Sequence, residues 1–170
     1  MKKQKFPLYI LFAIPLMLYS STITQDSWEV FKHAGLAYGD DGAMQIFEDS
    51  KGNIWVGTGL GVNRLDPKNQ ALGFTRFVQF GQHPILASFE DSRGNFWFGT
   101  EGNGIVQYDV KQQRAIHIKR QAGQPDGLSD HTIRSLFEDA QGILWVGTET
   151  GGINKLDQQK RRFNHFKSHN

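Results

Sequence analysis

Cysteine is absent from the 170 residues, so neither a disulfide framework nor a thiolate metal site can exist, and packing and backbone pairing must hold the fold. A helical metal-ligand pair is lacking as well. Of the six histidines (His33, His83, His117, His131, His165, His169), His165 and His169 stand four apart, but His165 falls in the expected strand "RFNHF" and not on a helix, and no nucleophile–base pair stands out. A basic surplus is missing once the first residues are set aside. The chain has 19 Lys+Arg against 17 Asp+Glu, but residues 1–25 carry Lys2, Lys3 and Lys5 and no acid, which leaves 16 against 17. A near-neutral remainder has no broad cationic face for phosphates, so nucleic acid is not an expected partner. The cluster "KRR" at 160–162 reads as a solvated turn. No catalytic residue, metal ligand or cofactor follows from these residues.

Only one long apolar run occurs, and it opens the chain. "MKKQK" precedes "FPLYILFAIPLMLY" (6–19) and then the small polar residues "SSTITQ", which is the layout of a secretory signal peptide. The run is shorter than the ~20 residues that span a bilayer. No Ala-x-Ala site follows it, so Ser20, Thr22 or Thr24 would have to mark cleavage. Residues 1–25 are read as a signal peptide or an uncleaved membrane anchor. Either reading places residues 26–170 outside the cytoplasm, with membrane contact only through the amino-terminal segment.

Against these absences stands a repeat. Residues 47–66 read "FEDSKGNIWVGTGLGVNRLD", residues 89–109 "FEDSRGNFWFGTEGNGIVQYD" and residues 137–157 "FEDAQGILWVGTETGGINKLD". Asp49, Asp91 and Asp139 lie 42 and 48 residues apart, and Trp55, Trp97 and Trp145 keep the same offsets. A period in the forties with strand-like segments points to propeller blades. Each copy starts with a short segment ("AMQIFE", "ILASFE", "IRSLFE") that is apolar on both faces, as expected of a strand buried on both sides. "DSKG", "DSRG" and "DAQG" follow, with Asp first and Gly fourth as in a type I turn. A second strand ("IWVGT", "FWFGT", "LWVGT") is aromatic and mostly β-branched. Its Gly, two places after the Trp, shares the Trp face and leaves room for close packing against a neighbouring sheet. A third strand ("GVNRLD", "GIVQYD", "GINKLD") and a fourth ("FTRFVQF", "AIHIKR", "RFNHF") complete four strands per unit, which is one blade.

The expected fold is therefore all-β: a partial β-propeller of three four-stranded antiparallel blades centred on 43–80, 85–120 and 132–167, within a domain spanning 26–170. "WEVFKHAGL" (28–36) reads as an extra amino-terminal strand of the kind that closes a ring. The structural repeat positions are Asp49, Gly52, Trp55, Gly57 and Thr58, then Asp91, Gly94, Trp97, Gly99 and Thr100, then Asp139, Gly142, Trp145, Gly147 and Thr148. The three Trp are expected in equivalent buried positions, with Trp145→Ala costing roughly 3–5 kcal/mol. The pairs Glu48–Asp49, Glu90–Asp91 and Glu138–Asp139 imitate acid–base carboxylates, but their recurrence in a structural repeat assigns them to turns. "GTEGNG" and "GTETGG" lead from strand to strand with no helix and no following Lys, unlike a phosphate-binding loop. His131, in the connection ahead of a first strand, is the one histidine placed where a propeller rim would lie.

Residues 127–157, "GLSDHTIRSLFEDAQGILWVGTETGGINKLD", resemble the two-component regulator propeller repeat: a Gly-Leu-Ser lead-in, a strand, Asp-x-x-Gly, Leu-Trp-Val-Gly-Thr and Gly-Gly-Ile-Asn-Lys-Leu-Asp. The first copy departs from it by losing a residue after "GT", and the second by offering "GQHPIL" in place of the lead-in. The resemblance implies the periplasmic sensor propeller of a bacterial membrane-bound signalling protein. Its ligand would be extracytoplasmic, often a saccharide, and its contacts cannot be named from these residues. Family propellers carry more blades than three, so the chain reads as an amino-terminal piece of a larger ring. Two other readings compete. One is a self-assembling propeller or partner-binding scaffold, in which another copy or other blades complete the ring. The other is a propeller lyase, which needs a His base and a metal-binding carboxylate facing the channel.

Overall fold

The computed structural model describes residues 42–65, 74–157 and 162–167. The segment 1–25 and the strand expected at 28–36 lie outside them, as do His33 and His169. The described residues form twelve strands in three four-stranded antiparallel sheets. The first blade holds β1 (Ala43–Glu48), β2 (Ile54–Thr58), β3 (Gly61–Leu65) and β4 (Phe74–Arg76). The second holds β5 (Ile85–Glu90), β6 (Phe96–Thr100), β7 (Ile105–Asp109) and β8 (Arg114–Ile118). The third holds β9 (Ile133–Glu138), β10 (Leu144–Thr148), β11 (Ile153–Asp157) and β12 (Arg162–Phe166). Each sheet is a meander in chain order, the arrangement of a propeller blade. Among the described residues no helix is long and apolar enough to cross a membrane.

The first two strands of every blade meet the expected bounds, and their registers coincide: Phe47 opposes Trp55, Phe89 opposes Trp97 and Phe137 opposes Trp145. The fourth strand of the first blade does not run as expected. It stops at Arg76, and after Phe77 the chain turns through a single 3₁₀ turn, Val78–Phe80. Gly81, at φ 87°, lets the chain leave that turn. The tighter path places Phe77 and Phe80 against the first core, with Phe80 buried. Arg162, the described end of "KRR", is the first residue of β12 rather than a turn residue, and it pairs with Asp126 at 3.1 Å.

Two cores join the blades. Trp55, Val62 and Phe80 pack on Ile85, Phe96, Phe98, Val106 and Tyr108 of the second blade. Trp97 and Ile105 pack on Leu128, Ile133, Leu144, Val146, Leu156 and Phe163. Trp55 and Trp97 are each 1% exposed. Beside each ring a glycine receives a branched side chain from the next blade. A Cβ on Gly57 would lie 2.7 Å from the Ile85 side chain, and one on Gly99 would lie 2.7 Å from that of Ile133. Those glycines are sockets for an isoleucine plug, and side chains in a close-packed interior cannot yield that much space.

The third blade corrects the expectation for its tryptophan. Among the described residues no further sheet lies on its outer face. Trp145 is only partly buried, with Phe166 at 5.9 Å and the Lys155 ammonium at 5.3 Å from its ring. The same face leaves Phe137 63% and Ile153 49% exposed, where Phe47 and Val62 meet the neighbouring blade in the first copy. The first strands are thus not all buried on both sides: Ile46 of β1 is 65% exposed. Trp97→Ala is expected to cost about 3–5 kcal/mol, whereas Trp145→Ala should cost less, about 1–3 kcal/mol, because its ring is only partly buried. Gly99→Ala should cost about 1–3 kcal/mol through overpacking against Ile133. Chemical denaturation of the three variants measures this order, and equal losses for the two tryptophans would contradict the open face.

Candidate functional site

The repeat positions fall at the two ends of the blades. At one end, each Asp opens the hairpin between the first and second strands. Gly52, Gly94 and Gly142 donate their N–H to the Asp carbonyl at 2.8–2.9 Å, and all three have φ between 75° and 80°. That is the left-handed conformation a glycine adopts at no steric cost. The carboxylate then gathers donors from within the turn. In the first blade Asp49 Oδ1 accepts from Lys51 N and Asn53 N, both at 2.9 Å, and Oδ2 accepts from Trp55 Nε1 at 2.9 Å. Asp91 repeats the pattern with Arg93 N, Asn95 N and Trp97 Nε1, and Asp139 with Gln141 N, Ile143 N and Trp145 Nε1. Burial of Asp49 opposes its ionisation, yet the bonds from Trp55, Asn53 and Lys51 outweigh it and hold the carboxyl below its ordinary range. The Trp145 bond chiefly holds Asp139 low in the same way.

The glutamates do something the sequence does not announce. Glu90, the last residue of β5, accepts from both Ser50 N (2.6 Å) and Ser50 Oγ (2.8 Å) in the first blade's turn. Glu138, the last residue of β9, takes Ser92 N (2.6 Å) and Ser92 Oγ (2.9 Å) of the second blade. The pairs Glu90–Asp91 and Glu138–Asp139 are therefore split between two blades: the Asp shapes its own turn and the Glu clasps the previous one. Among the described residues Glu48 has no such partner, and Ala140 is the turn without a hydroxyl. A Ser at the second turn position, 40 or 46 residues before the Glu it meets, was the available signal, but nothing local in the sequence couples the two.

At the other end, Thr58, Thr100 and Thr148 donate their hydroxyls to the carbonyls of Gly61, Gly104 and Gly152 at 2.8–3.0 Å and close the turns into the third strands. Here the lead-in of the third blade stitches two blades together. Ser129 N donates to the buried Asn154 Oδ1 at 2.9 Å, and the His131 carbonyl accepts from Gly104 N at 2.7 Å. Asp130 Oδ2 accepts from Thr150 N (2.7 Å), Thr150 Oγ1 (2.7 Å) and Gly151 N (3.1 Å). Burial opposes ionisation of Asp130, but Thr150 and the N–H groups of Thr132 and His131 hold it well below the usual carboxylate range. His131 itself contributes backbone to this rim while its side chain stays exposed.

These groups do not converge on a reacting centre. The three repeat aspartates are each saturated by turn donors, two of the glutamates by serine, and Asp130 by the rim loop. His165 Nε2 lies 2.6 Å from the Gly127 carbonyl and His117 Nε2 lies 3.3 Å from that of Gln79, so each ring is engaged by backbone. No group of three His, Asp or Glu among the described residues could hold a metal ion.

Comparison with known proteins places this architecture. Residues 38–59, 79–102 and 127–150 match the model of the two component regulator propeller family, so the chain carries three repeats similar to that family's. Its fold is similar to the extracellular domain of a protein assigned to a hybrid two component system of Bacteroides thetaiotaomicron (20% identity, TM-score 0.63, 74% of this chain and 18% of that one). It is also similar to an auxiliary nutrient binding protein of the same organism (9% identity, TM-score 0.52, 72% and 30%) and to streptogramin B lyase (18% identity, TM-score 0.51, 73% and 40%). The chain thus spans less than half the length of each of these structures. No curated protein matches it.

Because Asp49 and Asp139 titrate lower folded than unfolded (about 3.9), the stability they contribute is complete above that value. It is lost as pH falls through the depressed folded values. The melting temperature should therefore be level from neutral pH to about pH 5 and fall below it. Asp49→Asn should lower stability at neutral pH by about 1–3 kcal/mol and flatten the acid limb. Melting curves across pH test this, and an unchanged acid limb in the variant would contradict the assignment.

Proposed function

We propose that the chain is a non-catalytic, exported ligand-sensing propeller module of a bacterial signal-transduction receptor, held in the periplasm and bound to the inner membrane at most through its amino-terminal segment. The observation that carries this reading is the use to which the repeat carboxylates are put. Asp49, Asp91 and Asp139 are spent on turns and tryptophans, and Glu90 and Glu138 on the neighbouring blade, so the acids that recur are scaffold. The family match supports a sensor, and the ligand class it favours is a small extracytoplasmic molecule such as a saccharide. No cofactor is required. A lyase would need a base and a metal-binding carboxylate together, and His131, the candidate base, has an exposed side chain beside an Asp130 that is already engaged by five donors.

A second reading, assembly with another copy or with further blades, is favoured by the open face of the third blade. Phe137, Ile153 and Phe166 are exposed there. The two readings separate in one experiment on the exported chain. A saccharide panel followed by calorimetry and product analysis should give saturable heat with no new product. Turnover that is lost in His131→Ala would overturn the non-catalytic reading. Sedimentation of the same sample should show one species. A discrete dimer abolished by Phe137→Ser would favour assembly.

A further inference from the structure

Between the first two blades, on the side of the Asp turns, lies a cleft of ≈ 380 Å³. Its wall includes Arg64 of β3, the cross-strand neighbour of Trp55. The Arg64 guanidinium lies 5.6 Å from the Trp55 ring centre and 5.3 Å from that of Phe77. It therefore sits against two aromatic rings, and among the described residues no carboxylate pairs with it. Its Nε is fully buried and has no hydrogen-bond acceptor. A buried donor left unmade is costly, and a native structure that keeps one calls for an explanation, an absent ion or ligand among them.

The surroundings sharpen the point. The cleft is also lined by Lys51, Arg93 and Lys111, against two carboxylates, Asp49 and Glu90. Both acids are already engaged, Asp49 by its turn and Trp55, Glu90 by Ser50. Neither neutralises Arg64. The equivalent positions differ: Gln107 opposes Trp97 in the second blade, and Lys155 opposes Trp145 in the third. The planar, unpartnered guanidinium is thus a property of this cleft and not of the repeat. Such a group is matched by the paired oxygens of a carboxylate or phosphate, which can take two parallel hydrogen bonds from it.

We propose that the cleft between the first and second blades binds a small organic oxyanion, a carboxylate or a phosphate, through Arg64. The oxyanion supplies the acceptor that Arg64 Nε lacks. Residues of both blades line the site, Arg64 and Phe77 from the first, Arg93 and Lys111 from the second, so the occupant also bridges the blade interface. This goes beyond the sensor reading, since it requires no signalling and holds for the blades by themselves.

The test follows the Arg64 Nε–H signal in the ¹⁵N-labelled full chain during titration with benzoate, inorganic phosphate and, as the neutral isostere, benzamide. Benzoate or phosphate should shift that signal saturably and raise the melting temperature, and whichever anion acts at lower concentration assigns the headgroup. Arg64→Gln should weaken binding at least tenfold, while Arg64→Lys should retain part of it. The proposal is overturned if neither anion moves the signal more than sodium chloride at equal ionic strength. It is also overturned if benzamide matches benzoate, or if Arg64→Gln binds as the unaltered chain does. Should Arg64→Gln fail to fold, the wild-type titration against chloride and benzamide decides alone.

Discussion

The hydrogen bond from each tryptophan indole to its turn aspartate is the constraint on which the rest of the blade depends. One carboxylate closes the hairpin through two backbone N–H groups and, with its other oxygen, fixes the ring six residues later. The ring is then held at a set height on the sheet, which places the glycine two residues on as an open socket. The isoleucine of the next blade fills that socket. Local turn chemistry and inter-blade packing are thereby joined through a single side chain. A tryptophan buried without a partner for its N–H would lose much of what its area contributes.

The elements that were legible in the sequence are those set by short-range rules. Strand alternation, the Asp-x-x-Gly turn and the forty-odd-residue period gave the three blades and nearly all strand bounds. The fourth strand of the first blade escaped because "FTRFVQF" has strand composition throughout, while Gly81 and the demand of the first core for Phe80 turn its end into a 3₁₀ turn. Trp145 escaped for a different reason. Its own sequence context is that of Trp55 and Trp97, but burial belongs to the sheet that lies on it. The clasps of Glu90 and Glu138 escaped because they connect residues 40 and 46 positions apart. As for the candidate sites, His131 was singled out in the lead-in loop, whereas the side chain that bonds there is Asp130, and nothing in "GVNRLD" singled out Arg64.

The fold is one on which binding proteins and an enzyme have both been built, as the similar structures illustrate. Fold likeness therefore does not decide function, and the argument must rest on what particular groups are free to do. In this chain the recurrent acids are structural, the rim is stitched by Asp130 and Ser129, and the polar group left unmatched in a cleft is a cation.

The serine–glutamate clasps also give the array a direction. The second blade offers the Ser92 hydroxyl to the third blade and the Glu90 carboxylate to the first, so its two sides are as different as plug and outlet. A blade inserted back to front would set carboxylate against carboxylate across one joint and hydroxyl against hydroxyl across the other. The order of the blades is thus marked twice, by these side chains at the turns and by the isoleucine of a following blade entering the glycine socket of the one before.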